Sequence, residues 1–350
     1  MKLGLSAETY RWVAFPWMCA DRADFRAAGR LIPYFASITP PAAGESPLDW
    51  FIERARAHGL ASLALDSGWF GTEAHAQAFR ARMAAAGLTY LASVSVELAA
   101  TPEAWGTPAT ARSRRRPQFD PALATSLRTG WTGGSQAAIA VRALELAAAA
   151  GAEVVSLVHG QPDRPNHFTK DPPLAQQLDR MVRNLRTLAP IAEGMGLVLA
   201  TEGHMDYRCA EYAQVLEGVN SPWVRHVFDF ADSIAVNEDP LEAVQRVAKY
   251  TVASHLKDMR VQPITEIATG AFFHTPIGQG SVPVERMLEI LAAQAPNPGG
   301  LHHYLEVTPP PEIDVERWLG ASVEWLRTHC ARFWSRGGQS NAPTKQGSAP

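Results

Sequence analysis

"IAEGMGLVLATEGH" (residues 191–204) holds the pattern that decides the fold. A helix-period stretch runs into Gly196, and an apolar run of strand length follows at once. Glycine leaves a helix through the left-handed conformation without the Cβ penalty other residues carry, so the junction reads as a helix C-cap feeding a β-strand. The same unit recurs as "RARAHGLASLALDS" (54–67), "RMAAAGLTYLASVSV" (82–96) and "LAAAAGAEVVSLVHG" (146–160). Helix and strand in alternation demand a parallel sheet with helices packed against it.

Working outward, the apolar runs predict eight strands, at 2–6, 62–67, 89–98, 154–159, 197–203, 224–230, 251–257 and 302–308. Helical periodicity follows each of them, at 48–58 (Ser46 as cap, Pro47 in the first position), 73–86, 135–150, 174–195 with a kink expected at Pro190, 211–218, 240–250, 283–294 and 314–334. Eight β/α units predict a single (β/α)8 TIM barrel with long βα-loop insertions over residues 1–335. An open doubly wound sheet fits less well, because no G-x-G-x-x-G follows the first strand. The surplus length lies at 7–46, 99–133 and 259–281, always after a strand, which is the side of a barrel where active sites are built. Residues 336–350, "RGGQSNAPTKQGSAP", lack apolar content and read as a disordered tail.

Composition narrows the function class. With 350 residues, 46% of them hydrophobic, the chain has enough apolar material for a large core. The net charge of -3 offers no overall positive field for nucleic acid or an anionic membrane. Cys19, Cys209 and Cys330 have no C-x-x-C spacing, so neither a disulfide framework nor a thiolate metal site is expected. The chain opens directly into "LGLS", and no apolar run approaches the ~18 residues of a membrane span, so the reading is a cytoplasmic protein.

Side chains alternate along a strand, and the last four strands use that alternation in the same way. "TVASHLKDMR" (251–260) puts His255 and Lys257 on one face, "LVLATEGH" puts Glu202 and His204 on one face, "RHVFDFAD" ends at Asp229, and "HHYLEVT" carries Glu306. Two residues earlier stand Ala200, Val227, Ala253 and Tyr304, an apolar layer that closes the barrel below the polar groups. Three carboxylates converging above a dry floor repel one another unless a cation neutralises them. One divalent ion held by Glu202, Asp229, His255 and Glu306 resolves this. Oxygen-rich ligands with one imidazole suit Mn²⁺, Mg²⁺ or Co²⁺, and Zn²⁺ or Fe²⁺ also fits.

The ordered run "ATEGHMD", "FDFADS" with "NEDPLE", "SHLKDM", "TPIGQGSV" and "YLEVT" resembles the sugar phosphate isomerase/epimerase superfamily of xylose isomerase-like metal-dependent barrels. The resemblance is carried by the second half of the chain. It implies a metal-dependent isomerase or epimerase that acts on a keto sugar or sugar-acid derivative through an enediolate, with Glu202 and Glu306 as the acid/base pair. Lyases of the same superfamily, decarboxylating a 3-oxo sugar acid or dehydrating an inosose or 3-dehydroshikimate, are the alternative. Asp232 stands where ketose epimerases usually carry a histidine, and "HLKD" is found more often in the lyase branches. The superfamily also holds abasic-site endonucleases, whose additional metal histidines and basic groove are missing here. A sugar-binding barrel without activity would have lost a ligand, and none of the four is lost.

Around this centre, Lys257 reads either as a partner for developing negative charge on the substrate or as a counter-charge for the ligand carboxylates. His204, Asp232, His159, His274, Trp12 and Arg260 are the expected substrate contacts, with Glu8, Asp66 and Glu97 behind them. "HTPIGQGSVPVE" (274–285) reads as an anion cradle, or as a plain Gly-rich turn before a helix. Tyr10, Trp12, Phe15 and Trp17 crowd the first insertion as a pocket wall or a satellite core, and leave a homo-oligomer open. "RSRRR" (112–116) reads as a solvated loop rather than a nucleic-acid site.

Overall fold

A computed structural model of the chain describes residues 1–10, 47–108, 116–120, 130–161, 163–264, 269–310 and 313–334. Trp12, Phe15, Trp17, Cys19, Ser46, all but the last arginine of 112–116 and the 336–350 tail lie outside the described residues.

All eight expected strands are present: β1 (Lys2–Ser6), β2 (Ser62–Asp66), β3 (Thr89–Ser95), β4 (Val154–Val158), β5 (Val198–Glu202), β6 (Val224–Asp229), β7 (Thr251–Leu256) and β8 (His302–Leu305). They pair in parallel in chain order, and β1 closes the barrel on β8 through Leu3↔His303 and Leu5↔Leu305. Helices Pro47–Ala57, Glu73–Ala85, Gln136–Ala150, Leu174–Met195, Cys209–Val219, Pro240–Val247, Val284–Gln294 and Val315–His329 alternate with the strands. The helix from Leu174 runs through Pro190 to Met195.

Local chemistry fixes these junctions. Gly151 (φ 79°) and Gly196 (φ 69°) end their helices in the left-handed conformation, each turning its amide back onto carbonyls of the last turn. Thr72, Ser135, Asp239 and Asp314 accept backbone amides at helix starts. The barrel interior is closed by Ala64, Leu91, Ala200, Val227, Ala253 and Tyr304, which includes the four floor positions read from the alternation. Gly4 makes room for the largest of them, since a Cβ there would stand 2.6 Å from the Tyr304 ring. A register shift between His226 and Val227 sets β6 against β7 so that Val227 faces Ala253 and Asp229 faces His255.

The 259–281 insertion is not a simple loop. Asp258–Ile264 and Thr269–Thr275 form an antiparallel ribbon, paired from Asp258↔Thr275 outward to Ile264↔Thr269. A smaller bridge, Gln118–Phe119 with Trp131–Thr132, forms inside the 99–133 insertion. Among the described residues no helix is long and apolar enough to cross a membrane.

Candidate metal centre

The ends of β5 to β8 bring Glu202, Asp229, His255 and Glu306 to one point, each no more than 6% exposed. His255 Nδ1 stands 3.1 Å from Glu202 Oε1, 3.3 Å from Glu306 Oε2 and 3.9 Å from Asp229 Oδ2. One donor atom from each of Asp229, His255 and Glu306 lies within 4.8 Å of the other two. Glu202 joins them through His255, and its second oxygen is held by the Ser156 hydroxyl from β4.

Lys257, 3% exposed, completes the cluster with Nζ 2.8 Å from Asp229 Oδ2, 3.0 Å from Glu306 Oε1 and 3.3 Å from Asp232 Oδ1. The Asp229 carboxylate also accepts the amides of Ala231 and Asp232, which fixes its rotamer. Burial opposes charge on the lysine, yet Asp229, Asp232 and Glu306 outweigh it and hold its pKa well above the usual lysine value. Burial likewise pushes His255 down, but Glu202 first, then Glu306 and Asp229, bring it up to about 9. Asp229 moves up to about 7 through burial and the neighbouring Asp232. Glu202 goes the other way: burial is overcome by the His255 charge and by hydrogen bonds, and its pKa falls below the usual range.

These residues fit a divalent cation. His255 Nδ1 is a buried ring nitrogen that makes no hydrogen bond of good geometry while carboxylate oxygens face it. A cation with imidazole and carboxylate donors satisfies all of these groups at once.

A cavity of about 440 Å³ opens beside the cluster. Lys257, Glu306, Asp232, His204 and His274 line it, so three of the expected substrate contacts face the same space. Two do not. Both ring nitrogens of fully buried His159 are used on backbone, accepting from Leu98 N at 2.9 Å and meeting Pro165 O at 2.8 Å. Arg260 pairs with Phe273 on the ribbon face opposite His274, exposed and away from the cavity. Trp12 lies outside the described residues. Glu8, Asp66 and Glu97 also do not line the cavity; the Asp66 carboxylate caps its own turn at Gly68 N, 2.7 Å away.

The expected anion cradle is already filled by the protein. The Asp258 carboxylate accepts the amides of Gly278 (2.9 Å), Gly280 (2.8 Å) and Val282 (3.1 Å). A Cβ on Gly280 would stand 2.0 Å from Asp258 Oδ1, so this loop closes on its own carboxylate and its amides are already taken. Sequence reading did not single out Asp206, Met205 or Phe272, which also line the cavity. Asp206 is 2% exposed and accepts from Tyr212 Oη and from the amides of His204 and Tyr207, with burial raising its pKa to about 6. Its position two residues past His204 in "EGHMD" was the available signal.

A family model described as xylose isomerase-like TIM barrel matches residues 52–329. None of the curated proteins matches the sequence. Among solved structures, the chain is similar to a xylose isomerase domain protein from Planctomyces limnophilus, with 21% identity, a TM-score of 0.55, and 80% of this chain and 93% of that one covered. It is similar to 3-keto-D-glucoside 4-epimerase from E. coli at 15% identity and TM-score 0.58, with 94% and 99% covered. D-psicose 3-epimerase from Clostridium cellulolyticum H10, solved with D-tagatose, aligns at 13% identity and TM-score 0.59, with 96% and 100% covered. Such identities carry the shared fold, and the family match extends over most of the sequence. The chain belongs to the xylose isomerase-like TIM barrel family.

Proposed function

We propose that the protein is a divalent-metal-dependent isomerase or epimerase of a keto sugar. The observation that carries this reading is the convergence of Asp229, His255 and Glu306, with Glu202 beside them, above an apolar floor and next to a cavity. A divalent ion held there supplies Lewis acidity toward a carbonyl oxygen and its neighbouring hydroxyl. Glu202 and Glu306 reach His255 from strands on either side of it, which suits an acid/base pair working on two faces of one carbon. Glu202, whose second oxygen is held by the Ser156 hydroxyl, is suited to take the proton from the carbon beside the carbonyl. For epimerisation Glu306 enters the turnover protonated and gives that proton to the opposite face while Glu202 keeps the one it took; for isomerisation a single carboxylate moves the same proton to the adjacent carbon. The Lys257 ammonium, which also touches Asp232 in the cavity wall, steadies negative charge that develops on substrate oxygen.

A lyase of the same superfamily is the second reading, favoured by "HLKD" (255–258), with Asp232 a departure from the histidine that ketose epimerases usually carry. The lining works against its sugar-acid members. Among the described residues Lys257 is the only lysine or arginine lining the cavity, and three carboxylates already hold it.

Proton NMR of the metal-loaded protein in D₂O with a panel of ketoses, inososes and 3-oxo sugar acids tests the reading. Deuterium is expected at a carbon the product retains. Release of water or CO₂, with or without deuterium in the product, would establish the lyase instead.

A further inference from the structure

The cavity is polar at its deep end and apolar at its mouth. Lys257, Asp232 and Glu306 form the first. The second is built largely by the ribbon. Directly opposed pairs of an antiparallel ribbon share a face, and alternate pairs share the same one, so Met259↔His274 and Val261↔Phe272 lie on one face. Met259, His274 and Phe272 all line the cavity, which identifies this as the face turned toward it. Exposure rises along that face from 7% at Met259 to 47% at Phe272 and 55% at Val261.

Met205, on the loop after β5, adds a third large apolar group to the lining while 49% exposed. Its backbone is left-handed (φ 56°), a conformation that Gly, Asn or Asp adopts more readily. An unfavourable backbone holding an exposed thioether in the lining of a cavity suits a contact surface better than it suits folding. At about 440 Å³ the cavity falls in the range that holds drug-sized ligands, roughly 300–1,000 Å³. A single monosaccharide placed at the polar end leaves the mouth lined by Met205 and Phe272 without a contact to it among the described residues.

We propose that the substrate is an uncharged keto sugar carrying an apolar substituent, a glycoside with its carbonyl on a ring carbon other than the anomeric one, whose ring enters toward Lys257 and Glu306 and whose aromatic or aliphatic aglycone lies on Met205 and Phe272. The proposal rests on the reading of the cavity as a sugar site. Flat ring and thioether surfaces suit an apolar group with one polar end. The carboxylates Asp206, Asp232 and Glu306 disfavour a charged sugar acid in the same space.

The test uses the metal-loaded protein and titration calorimetry on a panel of sugars that carry a ketone at one non-anomeric ring carbon, each paired with its own phenyl glycoside. At least one phenyl glycoside is expected to bind tenfold or more tighter than its parent, and the corresponding phenyl uronide at least fivefold more weakly than that glycoside. Met205→Asn and Phe272→Ser should each bring the ratio of glycoside to parent affinity close to one. Asparagine tolerates the left-handed backbone, so the Met205→Asn variant should melt no lower than the natural protein, and a lost preference in it then reports the side chain. Equal binding of parent and glycoside across the panel overturns the proposal and leaves the sugar reading intact. Binding of neither member of any pair removes both. A Phe272→Ser variant that keeps its glycoside preference but changes its sedimentation coefficient makes the apolar face a contact between copies and also overturns the proposal.

Discussion

Replacing His255 with alanine is expected to strip the barrel of its divalent ion and lower turnover below detection while the chain stays folded. The imidazole stands within 3.1 to 3.9 Å of Glu202, Glu306 and Asp229, so of the four proposed ligands it is the one near each of the others. Outer partners of metal ligands alone are worth about 10–100-fold in affinity, and a ligand itself exceeds that. Folding should survive, because the floor of Ala200, Val227, Ala253 and Tyr304 lies below the change. Metal analysis after dialysis, with circular dichroism on the same sample, checks it. Full occupancy in the variant would remove His255 from the ligand set.

Lys257→Met is expected to act twice. Methionine keeps the apolar stem and removes the ammonium that stands 2.8, 3.0 and 3.3 Å from three buried carboxylates. Breaking a buried pair on one side typically costs about 3–5 kcal/mol, and the metal-free variant should lose stability on that scale. The sign with pH follows from Asp229, which already sits at about 7 and would rise further without the lysine. A carboxyl whose folded pKa lies above its unfolded value of about 3.9 holds protons that the unfolded chain releases, so stability falls as pH rises. Both proteins lose stability in parallel from about pH 4, so the part of the deficit that Asp229 carries opens as pH rises past about 7 and is complete only above the variant's raised native value, and urea unfolding of both proteins at several pH values reads it. With metal saturating, the variant should bind its ion yet turn over about 100-fold more slowly, the scale of a lost charge-stabilising donor. Normal turnover under that condition would leave the lysine with charge balance alone.

The fold was legible because Gly59, Gly87, Gly151 and Gly196 each punctuate a helix just before an apolar run, a local signal that tertiary context does not override. The convergence of Glu202, Asp229, His255 and Glu306 was legible for a similar reason: period-two alternation on β5 to β8 needs no knowledge of loops. His159 was misread because its partners, Leu98 N and Pro165 O, come from two loops that nothing in the sequence brings together. Arg260 was readable in principle. Carrying the alternation of His255 and Lys257 onward reaches Met259 and leaves Arg260 on the opposite face. The ribbon itself escaped notice because it shows no clean alternation, with Val261 and Phe272 exposed on one face and Phe273 beside Arg260 on the other. The 278–282 amides looked available to a substrate anion because their own anion, Asp258, lies 20 residues away from Gly278 in sequence.

The most direct measurement is calorimetric titration of metal-depleted protein with Mn²⁺ at pH 7 in two buffers of different ionisation enthalpy. His255, raised to about 9 in the metal-free state, is protonated at that pH and must lose its proton to donate a lone pair. The predicted result is one ion per chain, with net proton release and an affinity that climbs as pH rises toward about 9. The absence of binding, or binding that releases no proton and persists in the His255→Ala variant, would contradict a metal centre at the rim of β5 to β8.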